Sequence, residues 1–226
     1  MAITAYVDML PALRPHLPDC EDNLILQMLQ LMGREFHLQT EAYEVIVEQD
    51  LVADQKLYTV AIPASYEIVR TRRVETFTDE SIAAGLSDGV IRPADSYDLL
   101  LPDQLEFYPN ALSTEAVTDG MKTRLVLAPT EDALAIDSDF LNRWSGVIKA
   151  GALMELFGMP NRMWSSEAAR GRRSDEWKHG IAEGVRSQYT SHTSRGLTMK
   201  GRDWLGRTSG QSSSRRDKLF GGFYNS

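Results

Sequence analysis

The chain has 226 residues, 42% of them hydrophobic and 25% charged, with a formal net charge of -8. That is enough apolar material to bury a core, which sets it apart from disordered chains. No stretch nears the ~20 apolar residues that span a bilayer, no secretory leader pattern opens the chain, and a single cysteine, Cys20, excludes an internal disulfide and a cysteine zinc cluster. The expected location of folding is therefore the cytosol.

Leu10, Leu13 and Leu17 form a short apolar set interrupted by Pro11, Pro15 and Pro18, so the first predicted helix is brief. A longer helix follows Pro18. Asp19 is its expected cap, Glu21 and Asp22 favour its positive end, and Leu24, Met28, Leu31 and Met32, flanked by Ile25 and Phe36, form the face expected to enter the core.

From Tyr43 the period changes to two. Tyr43, Val45 and Val47 alternate with Glu44, Ile46 and Glu48, and strands are predicted again at Leu57–Val60, Tyr66–Phe77, Leu105–Tyr108 and Thr123–Leu127, the last ended by Pro129. Gly85, Gly89, Pro93 and Pro102 break the segment between Ser81 and Pro102, which reads as a loop with short helical turns.

Helical spacing returns at Asp137 or Ser138, the expected cap of a helix whose Phe140, Leu141, Trp144, Ile148 and Gly151 share a face and whose stop signal is Gly158 with Pro160. A last helix is predicted from Ser165 or Ser166 to about Thr193, with Trp177, Ile181, Val185 and Tyr189 at four-residue spacing. Its glycines Gly171, Gly180 and Gly184 each cost about 1 kcal/mol relative to alanine, so close packing within or between subunits must offset them.

Charge divides the chain unevenly. Residues 1–160 hold 11 Lys/Arg against 26 Asp/Glu, net -15, whereas residues 161–226 hold 13 against 6, net +7. Beyond Thr193 glycine and serine dominate, yet Trp204, Leu205, Leu219, Phe220, Phe223 and Tyr224 recur among the cations. A solubilising tail has no need of such side chains. An arm that docks in a partner's groove uses both, and Trp204, Arg215, Arg216, Phe220, Phe223 and Tyr224 are its expected anchors.

Catalytic signatures are weak. Gly201 to Thr208 has phosphate-loop spacing with Arg207 in place of lysine, but neither a preceding apolar strand nor a following amphipathic helix accompanies it. His16, His37, His179 and His192 lack metal-ligand spacing and read as surface or capping residues, and Gly206 to Gly210 misplaces the serine of a nucleophile elbow. Asp95 with Asp98, and Asp137 with Asp139, are the carboxylate pairs a dispersed hydrolase site would use; a solvated loop and a helix cap are the plainer readings, and no motif supports the site. No catalytic, metal or cofactor residue is assigned, and the expectation is a non-enzyme. The alternative is a DNA-binding or packaging accessory subunit that grips phosphates with the basic C-terminal segment; the acidic whole, with pI about 5.1, argues against specific recognition of nucleic acid.

The run Met9-Leu-Pro-Ala-Leu-Arg-Pro-His-Leu-Pro18, the helix end Gly33-Arg-Glu-Phe36, the following Thr40-Glu-Ala-Tyr43, and Gly146-Val-Ile-Lys-Ala-Gly-Ala-Leu-Met-Glu-Leu-Phe-Gly-Met-Pro160 with Trp164 and Ala168-Ala169 together resemble adaptor proteins of the bacteriophage head-to-tail connector. The resemblance implies a homo-oligomeric ring, commonly of twelve copies, beneath the portal protein. A downstream tail component, nozzle or tube, sits below it, and genomic DNA passes through without specific recognition. It also implies an α+β fold: a helical bundle of residues 1–42 and 131–193, an inserted antiparallel β domain at 43–130, and an extended C-terminal arm at 194–226 reaching the portal. The location implied is the virion, with no membrane partner and no cofactor.

Overall fold

The computed structural model describes residues 3–79, 89–100 and 102–193, without side chains beyond residue 188. The fold is mixed α and β with antiparallel sheets. Two compact units divide the chain, Met1–Ser187 and Gln188–Ser226, and the sheets and the packed helices belong to the first.

The N-terminal strand β1 (Ile3–Ala5) leads through a tight turn to α1 (Leu10–Leu13), held to four residues by the prolines around it. Helix α2 (Asp22–Thr40) begins later than expected. Asp19 is not its cap: it has a φ of 60°, and Glu21 occupies the capping position without a side-chain hydrogen bond. The buried face also differs. Ile25, Leu29, Met32, Phe36 and His37 are enclosed, while Leu31 is 52% exposed and Leu24 and Met28 are half-buried. Both sides of α2 carry apolar residues, so periodicity alone does not choose between them; the tertiary neighbours do.

Strands β2 (Glu44–Leu51), β4 (Tyr66–Thr76), β5 (Val90–Arg92) and β8 (Val117–Pro129) form a sheet in the order β2-β8-β4-β5. A smaller sheet orders β3 (Leu57–Thr59), β7 (Gln104–Phe107) and β6 (Tyr97–Leu100) as β3-β7-β6. Tyr58 joins the two: its hydroxyl donates to the Val52 carbonyl at 3.0 Å and accepts from the Val52 N–H at 3.2 Å. The segment expected to be loop thus contains β5 and β6. Each is short, and Val90 and Ile91 are both exposed, so the alternation that marks a half-buried strand is absent. Residues 80–88 and 101 of that segment lie outside the described residues.

One face of the large sheet is dominated by charge. Glu41 meets Arg70 at 2.5 Å and Arg72 at 2.7 Å, while Glu44 meets Arg72 at 3.2 Å and Arg124 at 3.8 Å. Glu41 ends α2 with a φ of 49°, a conformation in which glycine is usual; here a side chain at that position reaches two arginines. The opposite face buries Ile68, Val74, Met121, Leu125 and Leu127.

Strand β9 (Ala135–Asp137) pairs with β1 and runs directly into α3 (Ser138–Phe157), whose cap is Asp137, its Oδ1 accepting from the Phe140 N–H at 3.0 Å. This is the cap expected from the sequence. Helix α4 (Glu167–Thr193) is opened by Ser166, whose hydroxyl accepts from the Ala169 N–H at 3.3 Å. Three helices meet at Phe36. Its ring is fully buried, with centroids 5.1 Å from Trp144 and 5.9 Å from Phe140 on α3, and 5.8 Å from Trp177 on α4.

Glycine permits that convergence. A Cβ on Gly151 would lie 2.6 Å from the Trp177 ring, one on Gly184 would lie 2.6 Å from Thr40, and one on Gly180 would lie 2.3 Å from Val147. Gly171 meets nothing within 4 Å. We therefore expect Gly180→Ala to lower stability despite its better helix propensity, and Gly171→Ala to raise it by about 1 kcal/mol. Urea unfolding of both variants checks this; a stabilised Gly180→Ala protein contradicts the packing.

His37 joins the helices to the sheet. Fully buried rather than at the surface, it stacks on Phe140 at 4.0 Å, its Nδ1–H donates to the Gly33 carbonyl at 2.7 Å, and Nε2 has no partner among the described residues. Burial pushes its pKa down to about 4. The unfolded chain takes up a proton near pH 6.5 that the folded chain refuses until about pH 4. His37 thus lowers stability as pH falls through that window, on the order of 1 kcal/mol per pH unit. Denaturation midpoints of wild type and His37→Phe across this range should diverge on acidification, the variant falling less steeply; parallel curves would contradict the assignment.

Candidate functional site: a basic groove on the helices

The C-terminal anchors Trp204, Arg215, Arg216, Phe220, Phe223 and Tyr224 all lie outside the described residues, as do Gly201 to Thr208 and Gly206 to Gly210. The side chains of Tyr189 and His192 do so as well. Within the described part, a concavity lies where α1, α3 and the first half of α4 meet. It has a volume of about 470 Å³.

Its floor follows from composition. Ala12 and Leu13 come from α1, and Gly146, Val147, Ala150 and Leu153 lie on one face of α3, where small side chains leave a depression beside larger ones. The space beside Gly146 is open: a Cβ there meets nothing within 4 Å. Around this floor stand His16, Arg143, Lys149 and Arg173, with Glu176 the one carboxylate in the lining. A smaller hollow of about 260 Å³ shares His16, Arg173 and Glu176 and adds Arg172.

The charge state of this rim is unusual for the chain. Residues 1–160 contain 11 Lys/Arg. Among the described residues, Arg14, Arg34, Lys56, Arg70, Arg72, Arg73, Lys122 and Arg124 are ion-paired. Arg92 donates to the Thr76 hydroxyl at 3.0 Å. The two that remain, Arg143 and Lys149, both line the groove and have no carboxylate partner among the described residues. Arg143 instead lies over the Trp144 ring at 4.8 Å. Arg173 is neutralised by Glu176 at 2.6 Å. The groove thus offers apolar contact in the middle and unspent positive charge at the edge, which suits an anionic group carried beside an apolar one.

The other candidates from the sequence do not gather. Asp137 is the α3 cap, Asp139 is exposed in the first turn of the same helix, Asp98 accepts from the Leu99 N–H at 2.8 Å, and Asp95 is exposed. His179 is exposed on α4. Burial raises the pKa of the Cys20 thiol. Among the described residues no three His, Cys, Asp or Glu side chains converge on a possible metal position, and no helix is long and apolar enough to cross a membrane. Sequence reading missed the groove because its cations are spread over α3 and α4 at positions that look like ordinary solvated faces; what could have marked Arg143 and Lys149 is their place beside Gly146 and Ala150.

No family model matches the chain, and no curated protein matches it.

Removal of Arg143 or Lys149 takes away no ion pair among the described residues. Alanine at either position should leave the unfolding free energy within about 1 kcal/mol of wild type, the Arg143 contact with the Trp144 ring setting that bound, whereas Phe36→Ala should lower it by about 3–5 kcal/mol. Chemical denaturation reads both; a large loss at Arg143 or Lys149 would assign them to the core instead of a free surface.

Proposed function

We propose that the chain is a structural virion protein: an adaptor that assembles as a ring, twelve copies by resemblance, joins a phage portal to the tail and lines the channel through which the genome leaves. The observation that carries this reading is the charge partition, net -15 over residues 1–160 and net +7 over residues 161–226. An acidic wall repels the DNA backbone and keeps a channel from holding its cargo. A cationic end carrying aromatic side chains is suited to dock on another polypeptide.

In this reading the N-terminal and C-terminal helices form a bundle, residues 43–130 form an inserted β domain, and residues 194–226 are the arm. The arm meets the portal through Trp204, Arg215, Arg216, Phe220, Phe223 and Tyr224. The work is mechanical and needs no cofactor or catalysis. The order of elements supports it, with helices α1 and α2 before the two main sheets and α3 and α4 after them.

The 13 Lys/Arg of residues 161–226 favour one second reading, a DNA-gripping packaging accessory. The two separate in one pair of measurements. Truncation after Thr193 should abolish capture by the cognate portal protein while duplex DNA binds neither form at moderate salt. Unchanged portal capture by the truncated chain overturns the arm assignment, and duplex affinity with a steep salt slope favours the accessory reading.

A further inference from the structure

An exposed apolar residue sits on an acidic turn at a place where the backbone is fixed. The Ala133 N–H closes the turn on the Thr130 carbonyl at 3.1 Å, the Thr130 N–H donates to the Ser65 carbonyl at 2.9 Å, and the Tyr6 N–H donates to the Leu134 carbonyl at 3.1 Å. Ala133 is buried, yet its neighbour Leu134 is 73% exposed. Glu131 and Asp132 occupy the middle of the turn; the Glu131 side chain is 83% exposed and among the described residues pairs only with Arg34, at 3.7 Å. Ile3 and Val7, on the strand and turn beside it, are 61% and 50% exposed. This is an apolar knob with an acidic collar, held by main-chain hydrogen bonds on both flanks.

The groove on α1, α3 and α4 is its complement: an apolar floor open at Gly146, with Arg143 and Lys149 unpaired at the edge. We propose that the Glu131–Leu134 turn of one copy seats in the groove of a second copy. Leu134 covers the floor at Gly146 and Ala150, and Glu131 and Asp132 pair with Arg143 and Lys149. Knob and groove share no residue, and in the heterologous arrangement proposed each copy gives its knob to one neighbour and its groove to the other, whereas reciprocal exchange would stop at a two-fold dimer. Repetition closes a ring or extends a filament. The contact names the subunit interface of the ring proposed above and rests on that reading only for closure.

The test uses the full chain. Light scattering should find wild type in species of many copies at micromolar concentration. Arg143→Glu with Lys149→Glu, and separately Glu131→Lys with Asp132→Lys, should each weaken association about tenfold or more. Gly146→Leu, which fills the floor without touching charge, should do the same while its circular dichroism matches wild type and its thermal midpoint is no lower. Mixing the groove variant with the turn variant should restore species of many copies, since the native knob fits the native groove and the two reversed surfaces fit each other, and combining all four charge reversals in one chain should restore assembly as well. A wild-type chain that stays monomeric, variants that assemble like wild type, or a mixture that does not assemble overturns the contact. Failure of portal capture with assembly intact would instead overturn the adaptor reading and leave this contact standing.

Discussion

The described fold depends on the enclosure of Phe36. Its ring has no exposure and touches aromatic rings from α3 and α4 at once, and the approach of those helices is possible only because Gly151, Gly180 and Gly184 carry no side chain. Dense packing of this kind transmits small volume changes, so the groove beside it inherits a fixed shape. His37, one residue on, extends the cluster to Tyr43 and Tyr66, stacked at 5.1 Å, and the Tyr66 hydroxyl accepts from the Asp137 N–H at 2.7 Å where α3 begins. Helices and sheet are thereby tied through one aromatic seam.

That seam fixes which face of α3 turns outward. Phe140, Trp144 and Ile148 are committed to the interior, and the helix turns Gly146 and Lys149 to the other side. Pairing of charge elsewhere sharpens the contrast. The sheet satisfies its arginines against Glu41 and Glu44, whereas Arg143 and Lys149 keep their charge available at the groove. Net charge would not reveal this: of the 11 cations in residues 1–160, the two with no ion pair or hydrogen bond among the described residues both line the groove.

Much of the fold was legible in the sequence where a pattern was long and one-sided. The Asp137 cap, the Phe140–Trp144–Ile148 face and the period-two strands required only local information. Helix α2 was legible as a helix but not in its orientation, since Leu24, Met28 and Leu31 compete with Ile25, Leu29 and Phe36 for the core and long-range neighbours decide the outcome. Strands β1 and β9 escaped notice because three residues cannot display a period and their pairing spans most of the chain. The tight contacts at Gly180 and Gly184 gave a usable hint: a helix that retains interior glycine has a reason in packing. The groove gave none of comparable strength, for a cation without a partner looks the same in sequence as one with a partner.

In the proposed adaptor, an acidic folded body carries a cationic, aromatic end that finds its shelter on another polypeptide. Electron cryomicroscopy of the assembled particle that holds this chain tests that claim most directly. The expected result is a ring of copies at the portal vertex, with Trp204, Phe220 and Phe223 enclosed by portal side chains. Those rings packed against their own subunit, or a particle vertex without the chain, would contradict it.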